Sequence, residues 1–152
     1  MSTNEPAASR LPTSGSPPAD LALDQPFDVS GLIALRSAVA AHAAALGLPA
    51  GRSGDLVLMA HELATNAVAH GGGQGRLRMW RADDHIYCQV ADRGPGLPPG
   101  SRAGRERPPL GATGSRGLWL VRVLADDLDI ASGPAGTAIT ILMKVGGGEV
   151  DR

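Results

Sequence analysis

The stretch Ser53–His70, SGDLVLMAHELATNAVAH, decides how the rest of the chain is read. Leu56, Ala60, Leu63 and Ala67 recur at steps of three and four, and Val57, Ala64 and Val68 widen the stripe. That period predicts a helix with one buried face. Gly71–Gly73 stop it. Glu62 and Asn66 stand four apart and point the same way, well off the Leu56/Leu63 stripe. A carboxylate and an amide aligned like this can share a hydrated divalent cation such as Mg²⁺. The carboxylate can also orient or deprotonate a hydroxyl. A plainly solvated helix face fits the same pair.

Upstream, Leu32, Leu35, Val39, Ala43 and Leu46 define a first helix over Ser30–Leu46, ended by Gly47 and Pro49. Residues 1–25, rich in Pro, Ser, Ala and Thr, are expected to be a mobile tail. Downstream, Arg76–Arg81 and His85–Ala91 alternate apolar and polar residues around the turn-forming Asp83–Asp84 pair, the pattern of two strands. Asp92–Arg116, with five prolines and six glycines, is a long loop. Gly117–Asp126 reads as a helix with Leu118, Val121 and Leu124 inward. Leu128–Ala131 and Thr137–Lys144 form a hairpin over Gly133-Pro134-Ala135-Gly136. The order α, α, β, β, loop, α, β, β predicts an α+β fold, one sheet with helices on one face. The folded domain is expected over 26–146, with 147–152 a short tail.

Composition sets the bounds. The 152 residues suit a single domain, and 43% hydrophobic content supplies a core. Only 3% are aromatic, so Ala, Val and Leu do the packing. No apolar run nears the ~20 residues of a membrane-spanning helix. The start lacks the basic head and apolar core of a secretory signal. The single cysteine, Cys88, excludes an internal disulfide or a cysteine-based zinc site and suits a reducing cytoplasm. Cys88 alternates with apolar neighbours and is expected in the core. A net charge of −1 disfavours general affinity for nucleic acid.

Three further signals lie outside the core pattern. Asp92-Arg93-Gly94-Pro95-Gly96 ends an apolar strand with a carboxylate and two glycines that let backbone approach a flat ligand. Asp92 is suited to accept a hydrogen bond from an exocyclic amine. Gly111-Ala112-Thr113-Gly114-Ser115-Arg116-Gly117-Leu118 leads into a helix N-terminus, whose unpaired N–H groups attract phosphate. Gly136-Thr137 opens the last strand. Each alone is equally a turn or a hinge; together their order and spacing are specific.

On these four motifs the chain resembles the GHKL (Bergerat-fold) ATPase superfamily, and within it the single-domain anti-sigma-factor serine kinases. The resemblance runs from about Phe27 to Val145. His61-Glu62-Leu63-Ala64-Thr65-Asn66-Ala67 is similar to the N box, Asp92–Gly96 to the first glycine box, Ser115–Val121 to the second, and Gly136-Thr137 to the last. It implies a two-layer α/β sandwich with a mixed, mainly antiparallel sheet. It implies ATP and Mg²⁺ as ligands, Glu62 as general base and Asn66 as the Mg²⁺ ligand. Asp92 would read adenine, Gly94 and Gly96 would give it room, and Thr137 would lie near the base. Gly114, Ser115, Arg116, Gly117 and Leu118 would flank the phosphates. Ser115 departs from the family, standing where close relatives carry the first glycine of a Gly-x-Gly frame. The lid over 97–115 carries Arg102, Arg105 and Arg107, suited to phosphate or to an acidic partner.

The activity so implied is phosphorylation of a serine on an anti-anti-sigma (STAS-type) protein, with a sigma factor as the sequestered partner. No nucleic acid or membrane is engaged, and a homodimer through the sheet is implied. Two other readings stand beside it: a non-catalytic nucleotide-binding module that switches partners, and a stand-alone histidine-kinase ATPase domain.

Overall fold

The computed structural model describes residues 17–18, 20–96 and 115–146. In chain order they form β1 (Leu23–Asp28), a 3-10 turn (Val29–Gly31), α1 (Leu32–Ala45), α2 (Ala50–His70), β2 (Gln74–Ala82), β3 (His85–Asp92), α3 (Ser115–Leu124), β4 (Asp127–Gly133) and β5 (Gly136–Lys144). The five strands make one sheet in the order β1-β2-β3-β5-β4. Every pairing among the described strands is antiparallel, so the mixed sheet of the expectation has no parallel pair here.

The expected helices and hairpins are all present, with shifted ends. α2 starts three residues early because Pro49 adopts extended backbone and its carbonyl accepts the Ser53 N–H at 2.8 Å. β1 is an addition: Leu23, Asp24 and Gln25 belong to this edge strand rather than to a tail. It holds Pro26, which an edge tolerates because no partner needs its missing N–H. Asp28 caps the following turn by accepting the Ser30 N–H at 3.0 Å.

Alternation sorts the sheet into two faces. Leu77 and Met79 lie opposite Val90 and Cys88, which lie opposite Ile139 and Ile141. This face meets Leu35, Val39 and Ala43 of α1, Leu56, Met59, Ala60, Leu63, Ala64 and Ala67 of α2, and Leu118 and Val121 of α3. Burying each large side chain contributes about 1.5–3 kcal/mol, so this seam fixes how the helices lie. Cys88 is within it, and burial pushes its thiol up to about 12. It is a packing residue, not a nucleophile. An ion pair from Arg52 on α2 to Asp126, just past α3, ties the two helices at the end remote from Gly117. Asp126 also accepts the Lys144 N–H at 2.7 Å.

Candidate functional site

α2 connects two constellations. Along it, Glu62 and Asn66 are half-buried one turn apart, while Thr65 between them is exposed. The first turn of α3 presses on this stretch at Gly117, itself buried. A Cβ built on Gly117 would stand 3.0 Å from Glu62 Oε1, 3.3 Å from Glu62 Cβ and 3.4 Å from Asn66 Nδ2. Glycine therefore permits the approach. It sets the positive N-terminal end of α3 beside a carboxylate and an amide. Leu118 and Val121 point into the core and hold that helix in place.

The second constellation sits at the end of α2. The helix stops at Gly71, whose N–H reaches Ala67 O at 2.8 Å. The Asp92 carboxylate lies where a Gly71 side chain would be. A Cβ on Gly94 would in turn collide with the Gly71 backbone. The Gly94 N–H donates to Asp92 Oδ1 at 2.8 Å, fixing the half-buried carboxylate at the end of β3. Asp92 pairs in register with Thr137 of β5, and Gly136, at φ +141°, packs its backbone on the Asp92 carbonyl. Thr137 is nearly buried and shares a 2.9 Å hydrogen bond with Ser132 Oγ. Gly96, at φ +87°, reaches the Gly133 carbonyl beyond.

Of the residues singled out in the sequence, Asp92, Gly94, Gly96 and Thr137 thus come together at one end of α2. Glu62, Asn66, Gly117 and Leu118 come together along its middle. Glu62 and Gly71 are nine residues apart, roughly 13 Å along a continuous helix. Ser115 and Arg116 open α3. Gly114 lies outside the described residues, as do Arg102, Arg105 and Arg107. His70, in the last turn of α2, is exposed.

Sequence reasoning missed Gly71 and Ser132. Gly71 read as a helix stop, and only the fold reveals that its missing side chain admits Asp92. The run Gly71-Gly72-Gly73 was the available signal, since one glycine suffices to end a helix. The missed Ser132 has no comparable pattern; it faces Thr137 only through the hairpin register.

A family profile described as the histidine kinase-like ATPase domain matches residues 26–143. No curated protein matches the chain. Among solved structures, one of RsbU and RsbW domains from Mycobacterium tuberculosis aligns with TM-score 0.60 at 21% identity, over 80% of this chain and 31% of that one. The blue-light activated histidine kinase EL346 of Erythrobacter litoralis aligns with TM-score 0.58 at 23% identity, over 68% and 34%. A mycobacterial sensor histidine kinase, MprB, aligns with TM-score 0.50 at 22% identity, over 80% and 97%. The chain spans about a third of the length of the first two. These likenesses show the shared fold, and the profile runs from within β1 through most of β5, so the chain belongs to the histidine kinase-like ATPase domain family, the ATP-binding GHKL fold.

Proposed function

We propose that this domain binds Mg-ATP along α2 and transfers its γ-phosphoryl group to a serine of an anti-anti-sigma (STAS-type) protein. In the same partner switch it sequesters a sigma factor in the cytoplasm. The observation that carries the reading is the approach of Gly117 to Glu62 and Asn66, which joins a helix N-terminus, a carboxylate and an amide. Phosphoryl transfer depends on positioning and charge stabilisation, and these groups supply both.

Asp92, oriented by Gly94, accepts the exocyclic amine of adenine, and Thr137 beside it in register lines the same end. Gly94 and Gly96 keep side chains out of the base's way. Asn66 is the protein ligand for Mg²⁺. The ion takes oxygen donors, keeps waters and is usually held by one or two protein groups plus phosphates, so the Glu62–Asn66 pair fits it. Bound there, Mg²⁺ neutralises phosphate charge. Gly114, Ser115, Arg116, Gly117 and Leu118 offer backbone N–H groups and a guanidinium to the phosphates. Glu62 takes the proton of the acceptor serine as its oxygen bonds to the γ-phosphorus and the bond to the ADP oxygen breaks.

The alignment with a structure of RsbU and RsbW domains favours this partner class, and the family favours the nucleotide. A second reading, nucleotide binding without transfer, is favoured by Ser115, which replaces a glycine beside the phosphates. Incubating the protein with radiolabelled ATP and candidate STAS-type proteins separates them. The kinase reading expects label on a serine and at least ~100-fold less with Glu62→Ala, in line with the 10²–10⁴ contributed by a general base. Intact ATP binding with no label on any acceptor would refute transfer.

A further inference from the structure

On the helix-side face of the sheet, side chains lie in rows that cross the strands. Register sets Val90, Ile139 and Ile130 abreast on β3, β5 and β4, all within the core or packed against it. Two residues along each strand, on the same face, the next row is Asp92, Thr137 and Ser132. An apolar row thus gives way in one step to a carboxylate and two hydroxyls. The nucleotide reading uses Asp92 and Thr137 and leaves Ser132 aside.

Ser132 is nonetheless closely placed. Its Oγ lies 2.9 Å from Thr137 Oγ1. Gly96 rests against it as well, since a Cβ there would stand 3.1 Å from Ser132 Oγ and collide with the Gly133 carbonyl. Thr137 is nearly buried, whereas Ser132 is exposed. A hydroxyl has one proton to give and two lone pairs to accept with, so a bond between two hydroxyls spends the proton of one and spares that of the other. Water reaches the acceptor positions of the exposed Ser132 more readily than those of Thr137. The economical arrangement is therefore Ser132 as donor, with the Thr137 proton spared for a ligand beside Asp92.

We propose that Ser132 is a positioning residue: its hydroxyl donates to Thr137 Oγ1, and Thr137 thereby presents its own proton to the acceptor ring nitrogen next to the exocyclic amine of adenine. The inference rests on the reading of Asp92 as the group that takes that amine, and adds a specificity device to it. A carboxylate only accepts, and a Thr137 hydroxyl held in this way donates. Side by side they fit a ring edge that offers a donor and then an acceptor. Hypoxanthine and guanine offer the reverse, a carbonyl oxygen and then a ring N–H, and meet a like group at both positions. A Thr137 hydroxyl free to turn would accept from that N–H, and half of the discrimination would be lost.

Calorimetry on Ser132→Ala and Ser132→Thr tests this with ADP, inosine diphosphate and 1-deaza-ADP, which carries a C–H in place of the acceptor nitrogen. Wild-type protein should bind ADP more tightly than either analogue. Ser132→Ala should weaken ADP about fivefold, within the range of a neutral hydrogen bond, leave 1-deaza-ADP unchanged and narrow the preference for ADP over inosine diphosphate. Ser132→Thr keeps the hydroxyl and should restore both affinity and preference. Equal weakening of all three nucleotides by Ser132→Ala is the mark of a disturbed hairpin and overturns the proposal. An alanine variant that binds ADP as the wild type does overturns it too, as does a threonine variant that rescues nothing; in either case the wild-type preference for ADP leaves the Asp92 reading standing. Wild-type protein that binds ADP no better than inosine diphosphate overturns both.

Discussion

At the Asp92 end of α2 three backbones interlock, whereas at the Glu62 end one helix rests on another through a single glycine. Gly71, Gly94 and Gly136 each leave no room for a Cβ, and the surfaces they meet are main chain or the Asp92 carboxylate. Those surfaces are pinned by the β3–β5 register and by the Asp92–Gly94 hydrogen bond. At Gly117 the nearest atoms belong to the Glu62 and Asn66 side chains, which have rotamers to spare. The Asp92 end is therefore tightly fixed, while the Glu62 end keeps side-chain freedom. Under the proposed function these are the base end and the phosphate end, and freedom suits contacts that change when a phosphoryl group leaves.

The comparison is broken most forcefully by removing one carboxylate. Asp92→Ala should lower ATP and ADP affinity roughly 100-fold in calorimetry, the upper range for a hydrogen bond to a charged group. Asn66→Ala should leave ADP affinity without Mg²⁺ unchanged and erase the gain that Mg²⁺ brings. If both substitutions act equally with and without Mg²⁺, the division of α2 into two ends fails.

Paired glycine substitutions sharpen the contrast. Gly71→Ala forces the Asp92 carboxylate or the Ala67 carbonyl to move, and overpacking of this kind costs about 1–3 kcal/mol. It should cut nucleotide affinity and lower the melting temperature together. Gly117→Ala meets flexible side chains first, so its effect on stability should be the smaller of the two, read by thermal melting.

The smallest effect is expected far from both ends. Asp24 of β1 pairs with Arg76 at 2.6 Å and with Arg78 at 3.6 Å. Its hydrogen bond from Arg76 holds the carboxyl below its ordinary value. A depressed carboxyl contributes stability above its unfolded range and loses it as pH falls through the folded value. Asp24→Asn should cost no more than about 1 kcal/mol at neutral pH, as exposed pairs do, and nothing once the pH is well below the carboxylate range. Denaturant titrations at both pH values check this, and nucleotide affinity should not change.

Much of this was legible in the residues. α2 showed itself by strict three-four spacing, and the polar Glu62 and Asn66 stood out against that stripe. β3 sets Ile86, Cys88 and Val90 in alternation with Tyr87 and Gln89, and the first three face the helices. β1 was not legible: six residues with a proline carry too little alternation, and its inward side chains, Leu23 and Phe27, are recognisable only once β2 lies beside them. The role of Gly71 was hidden because it depends on Asp92, distant in sequence, arriving at its Cα. Nothing in the sequence marked the other face as covered, and the burial of Trp80, Tyr87 and Leu142 is a fact of the folded chain alone.

Both halves of the site hang from one unbroken helix, which makes the count from Asn66 to Gly71 a ruler. Gaining or losing a single residue there would swing one half about 100° around the axis and slide it ~1.5 Å relative to the other. The Asp83–Asp84 turn holds no residue of the site, so a change of chain length there leaves both halves in place, whereas one within these few positions is ruinous.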